Sequence, residues 1–102
     1  MDRYCMFAVI FRAKIKTLDS SYFETAKRMR DLAFEKYGCL DSVSLSENGD
    51  EVSISYWPTL EAIKNWRSDG EHKIAQCMGS ELWYVNYKVE VVEVLRSYIS
   101  EQ

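Results

Sequence analysis

Residues 39–57, CLDSVSLSENGDEVSISYW, decide the fold. Asn48-Gly49-Asp50 stands between two runs that alternate in polarity. Asn-Gly is the strongest short hairpin signal, because both positions accept a positive φ and so give a turn whose twist matches the strands. The stretch therefore predicts two antiparallel strands, over 39–47 and 51–57. Val43 and Leu45 form one face of the first, and Val52, Ile54 and Tyr56 one face of the second. The opposite faces carry Ser42, Ser44, Ser53 and Ser55, all small and polar.

Toward the N-terminus, Gly38 sits where a helix end wants a left-handed residue. Ahead of it, Tyr22, Ala26, Met29, Ala33 and Tyr37 recur at helical spacing, so residues 21–37 read as a helix. Ser21 and Glu24 form a capping-box pattern at its start. Residues 4–15 read as a strand, with Cys5, Phe7, Val9, Phe11, Ala13 and Ile15 on one face. Tyr4, Met6, Ala8 and Ile10 form the other, before Arg12 and Lys14 turn it polar. Apolar residues on both faces imply a strand covered on both sides.

Toward the C-terminus, Pro58 ends the hairpin's second strand and Thr59 caps a helix over about 60–68. Asp69-Gly70 breaks it, a second short helix follows over about 71–78, and Gly79 is expected to close that one. Residues 82–96 give the longest strand signal, with Trp83, Val85, Tyr87, Val89 and Val91 in one phase. The phase changes after Val91-Val92, to Val92 and Val94, which predicts a bulge or a change of environment there.

The order is strand, helix, strand, strand, helix, strand. This is the α+β, ferredoxin-like βαββαβ pattern, a four-stranded antiparallel sheet with helices on one face, expected as a single domain over 1–102. The second face of such a sheet needs another layer. Because the first and last strands are apolar on both sides, a lone copy would bare a large apolar patch, and a symmetric homodimer is the simplest cover.

Composition narrows the function classes. The 102 residues carry 13 basic and 16 acidic side chains, a net charge of −3, with no basic block. That excludes a phosphate-neutralising nucleic-acid surface. Cys5, Cys39 and Cys77 are odd in number and widely spaced, which fits neither a disulfide framework nor a zinc site. They read as reduced, mostly buried thiols, with Cys77 the one candidate nucleophile. Met1-Asp2-Arg3-Tyr4 does not resemble a signal peptide, and no apolar run approaches a bilayer span, so no membrane association and a cytoplasmic location are expected. No phosphate-cradling or dinucleotide fingerprint occurs, so no cofactor is expected.

The richest segment lies between Ile54 and Val94. It holds Ser55-Tyr56-Trp57, Leu60 to Trp66, Glu71-His72, Ala75-Gln76, Gly79, Trp83-Tyr84 and Tyr87. The spacing of Trp66 to His72, the following Ala75-Gln76 and Gly79, and the Trp83-Tyr84 pair resemble the antibiotic biosynthesis monooxygenase-like family of dimeric α+β barrels. The closest likeness is to its small stand-alone bacterial members. The resemblance covers nearly the whole chain and implies a homodimer with a pocket between the sheet and the helices of one subunit. It implies an activity less firmly, since members include cofactor-free oxygenases of polycyclic phenols, quinol oxygenases and haem-degrading enzymes. The haem-degrading pattern needs an Asn on the first strand and a His ten residues after the helical Trp. Here residues 4–15 hold no Asn, and Gln76 stands ten residues after Trp66.

The resulting expectation is a cofactor-independent monooxygenase-like protein acting on a small aromatic or quinol-type molecule. His72, the single histidine, is the candidate catalytic base or orienting group. Trp57, Trp66, Trp83, Tyr84 and Tyr87 are the candidate substrate-binding residues, with Tyr56 a further strand tyrosine and Arg12 and Arg67 candidate anchors for an anionic group. Each has a competing reading as packing or surface, and His72 as a fixed turn between helices. A non-catalytic dimer that binds a small apolar molecule, haem among the candidates, is the alternative.

Overall fold

The computed structural model describes residues 6–101. Tyr4 and Cys5, placed above on the first strand, lie outside the described residues. The chain runs β1 (Phe7–Ile15), α1 (Ser20–Glu35), β2 (Asp41–Glu47), β3 (Asp50–Trp57), α2 (Leu60–Arg67), α3 (Gly70–Met78), a π-helical turn (Gly79–Trp83) and β4 (Tyr84–Glu93). The strands form one antiparallel sheet in the order β2-β3-β1-β4, as the ferredoxin-like pattern requires. β1 lies between β3 and β4, so both its edges are hydrogen-bonded.

The hairpin forms as its turn chemistry dictates. Asn48 has φ 53° and Gly49 φ 83°, the paired left-handed values of the tight hairpin turn. Register then fixes the faces. Ser42 pairs Ser55 and Ser44 pairs Ser53, while Val43 pairs Ile54 and Leu45 pairs Val52. The serines share their face with Val9 and Phe11 of β1 and point toward the helices. The valines and Leu45 point away from them. Val43 is 47% exposed, Leu45 71% and Val52 38%. Within the hairpin this inverts the usual arrangement, in which the apolar face of a sheet meets its helices, although Val9, Trp57 and Val89 on the same side still pack against them.

The core is small and tight around Trp57, which is fully buried with Val9, Ala33, Cys39 and Ile63. Three local expectations are corrected. First, Asp19, not Ser21, caps α1: its carboxylate accepts from the Tyr22 N–H at 3.0 Å, and Ser21 Oγ donates to that carboxylate at 2.8 Å. A charged acceptor at a helix N-terminus outcompetes a hydroxyl. Thr59 caps α2 as expected, accepting from Ala62 N–H at 3.0 Å. Second, Gly79 caps the C-terminus of α3 as expected, but its φ of −60° is helical and the chain continues into the π-helical turn, so residues 82 and 83, expected on the last strand, precede it. The glycine's value is close approach, since a Cβ there would sit 3.2 Å from the Tyr84 ring. Third, the bulge falls at the start of β4 and not after Val92. Ile15 pairs Tyr84 while Lys14 pairs Asn86, leaving Val85 as the extra residue, and pairing is regular through Val91, Val92 and Glu93. No described helix is long and apolar enough to cross a membrane.

Candidate functional site

The serine face of the sheet cannot pack tightly against α1 and α3, because small side chains leave the inter-layer space unfilled. The result is a cavity of about 390 Å³ between sheet and helices. That is the lower range for small-molecule sites, enough for one or two fused rings.

Aromatic groups gather in two clusters. In the first, Trp57 lies beneath Trp66 with ring centroids 5.0 Å apart, and His72 meets Trp66 edge-on at 4.1 Å. Trp66 Nε1 donates to the Met29 carbonyl at 3.3 Å, which fixes the indole against α1. In the second, Tyr22 meets Trp83 at 5.3 Å, and Phe11 lies 5.3 Å from Tyr84 and 5.5 Å from Tyr87. Tyr84 and Tyr87 are three residues apart, so a regular strand would send them to opposite faces. The bulge at Val85 brings both beside Phe11.

Of the expected site residues, His72, Trp66, Trp83, Tyr84 and Tyr87 all line the cavity. Trp57 is not among the lining residues and supports Trp66 from below. Arg67 lines the cavity, whereas Arg12 and Tyr56 lie on the sheet's other face. Cys77 is exposed and away from the lining. Cys39 does line it, but burial raises its thiol pKa, and a protonated thiol is a poor nucleophile.

His72 sits in the first turn of α3, whose start is held by Asp69: its carboxylate accepts from Glu71 N–H at 2.8 Å and from the Tyr37 hydroxyl at 2.6 Å. The imidazole is buried, and its Nδ1 has no hydrogen-bond partner among the described residues. Burial first, and the neighbouring Arg67 charge second, hold its pKa down at about 4. At neutral pH the ring is therefore uncharged. The indole Nε1 of Trp83 is likewise buried without a partner. Both residues line the cavity, but neither orphaned atom is itself open to water, so a ligand would meet either one only after its ring turned toward the cavity.

Sequence reasoning missed Glu51. Beside the hairpin turn it reads as a solvated charge, yet it is only 5% exposed and lines the cavity. Tyr22 donates to its Oε1 at 2.6 Å and Tyr84 at 3.2 Å, and Ser53 donates to Oε2 at 3.3 Å. Burial, then the bond to Glu51, pushes the Tyr22 pKa up to about 12; burial also raises that of Tyr84. Both phenols stay protonated as donors. The available signal was parity, since Glu51 is in phase with Ser53, Ser55 and Trp57.

Among the described residues no group of three or more His, Cys, Asp or Glu side chains is placed to hold a metal ion.

No family model matches the chain. The uncharacterised protein YqjZ of Bacillus subtilis is 37% identical over 97 residues, 94% of this chain and 85% of its own length. The jasmonate monooxygenase ABM of Pyricularia oryzae is 29% identical over 101 residues, 95% of this chain, and the chain spans 47% of that fungal protein. Among solved structures, SnoaB, a cofactor-independent oxygenase from Streptomyces nogalater, superposes with a TM-score of 0.78 at 12% identity, over 95% of this chain and 99% of its own. At that identity the likeness is one of fold.

Proposed function

We propose that this chain is a member of the antibiotic biosynthesis monooxygenase-like family and a cytoplasmic homodimer that oxygenates a small aromatic or quinol-type molecule without a cofactor, a reading that its similarity to the fungal monooxygenase and its fold support. The observation that carries the reading is the unpartnered His72 Nδ1 on a residue that borders an apolar, aromatic-walled cavity. Two similar proteins, the fungal monooxygenase and SnoaB, carry oxygenase names, which supports the reaction class.

The low pKa of His72 defines its part in the chemistry. A phenol titrates near pH 10, far above the imidazole's value of about 4, so complete proton transfer to His72 alone is strongly uphill. With its ring turned toward the cavity, the neutral imidazole instead accepts a hydrogen bond from the substrate, draws electron density toward the substrate ring and orients it against Trp66. An electron-rich ring so activated is the species that passes an electron to O₂. The substrate is the reductant, and O₂ the oxidant.

Oxygen uptake with a panel of phenols and quinols tests the proposal, measured against enzyme-free blanks because quinols oxidise spontaneously. Wild-type protein should raise uptake with at least one compound, and His72→Ala should lower kcat/KM about tenfold or more. Unchanged uptake in the variant removes His72 from the chemistry. Binding of these compounds, or of haem, with no uptake at all would favour the non-catalytic binding dimer instead.

A further inference from the structure

The Glu51 cluster is not used by that chemistry, and it has an unfilled position. A carboxylate offers about four acceptor sites. Oε1 accepts from two tyrosines, at 2.6 and 3.2 Å, while the one contact of Oε2 is the long 3.3 Å bond from Ser53. Ser53 is weakly committed even there, because its hydroxyl is also 2.7 Å from Ser44 Oγ. No described cation forms an ion pair with Glu51. A carboxylate buried to this degree needs its lone pairs answered. A group built solely to tie β3 to α1 and β4 would saturate both oxygens.

We propose that Glu51 is a specificity-determining residue of the cavity: its Oε2 accepts a hydrogen bond from an O–H or N–H group on the ligand, while Tyr22 and Tyr84 brace Oε1. The inference rests on the reading that the cavity holds a small aromatic molecule, and it adds which kind. A ligand with a donating head on an apolar body is retained. An ether of the same shape leaves Oε2 unanswered and is rejected, since a site built to hydrogen-bond a hydroxyl discriminates strongly against analogues that lack it.

The test is anaerobic calorimetric titration with two probes of nearly equal size, 1-naphthol and 1-methoxynaphthalene. Wild-type protein should bind the naphthol at least tenfold more tightly. Glu51→Gln, which keeps the shape and loses the charge, should bring the two within about threefold. Cys77→Ser, at an exposed residue away from the lining, should keep the preference. Equal binding of both probes by wild type overturns this inference, and the hydrogen bond assigned to His72 with it, and leaves standing only that the cavity takes a small aromatic molecule. Binding of neither probe removes the cavity reading and this inference with it. A preference that survives in Glu51→Gln overturns the assignment to Glu51. The wild-type comparison needs no variant, so misfolding of Glu51→Gln does not shelter the idea.

Discussion

His72 is the only histidine in the chain, so its titration can be read in the stability of the whole protein. Its folded pKa of about 4 lies below the ordinary 6.5. Above pH 6.5 the ring is neutral in both states and contributes no pH dependence. As pH falls from 6.5 toward 4, the unfolded chain binds a proton that the folded chain refuses, and stability is lost. The loss approaches about 1.4 kcal/mol per pH unit inside that window. Urea denaturation at pH 7.5, 6.5 and 5.5 should show this fall in wild type and a flatter profile in His72→Gln. Parallel profiles would mean that the imidazole is not held neutral. The candidate histidine was legible because a lone His beside an aromatic segment stands out in any sequence. Glu51 was not, because one charge among several at a hairpin end carries no mark of burial. What sets it apart is Tyr22, 29 positions earlier in the chain, and that partnership exists only after folding.

At the scale of elements, the hairpin and the Thr59 cap were legible because each is governed by a few adjacent residues. Asn48-Gly49 specifies its turn through backbone sterics alone. Gly49, at φ 83°, has open space where a Cβ would go, so Gly49→Ala isolates backbone strain from crowding. The variant should lose about 1 kcal/mol in equilibrium denaturation, with hydrogen exchange quickening first in β2 and β3. An unchanged midpoint would mean that the turn does not hold its left-handed conformation. The β4 bulge was misplaced for a different reason. Alternation in 82–96 is nearly continuous, and the chain carries no local signal at Val85 for an extra residue. The bulge comes from reconciling two distant demands: the π-helical turn delivers Trp83 to the cavity wall, where its carbonyl accepts the Lys16 N–H at 2.7 Å, and β4 must then pair in register with β1. Gly79 belongs to the same adjustment. It caps α3 as its spacing predicts, and the Tyr84 ring packed over it adds a demand for a missing Cβ that sequence spacing does not show.

At the scale of the whole molecule, the inverted hairpin within the sheet links the proposed cavity to the proposed dimer. The same alternation that lays serines under the helices sets Val43, Leu45 and Val52 on the open face, and register adds Val92 opposite Ala8. Beyond β4, Leu95, Tyr98 and Ile99 are each more than 80% exposed. A lone chain keeps this apolar surface in water at roughly 25 cal/mol for each Å²; a second copy laid face to face removes it for both. The open face also carries Arg12, which pairs both Val52 and Lys88, and Glu90, which pairs Ile10, so such a pairing brings both signs of charge into the interface itself. Light scattering at micromolar concentration should therefore give twice the chain mass of 12.0 kDa. The melting temperature should rise with protein concentration, since association stabilises by mass action. The double substitution Leu45→Glu with Val52→Glu places two carboxylates per chain on this face and none in the cavity lining. It should yield a folded monomer that still binds 1-naphthol, because the cavity lies within one chain. A wild-type particle of single-chain mass would show that the open face is tolerated bare, and the argument from the inverted hairpin to a dimer would fail while the cavity it leaves beneath the helices remained.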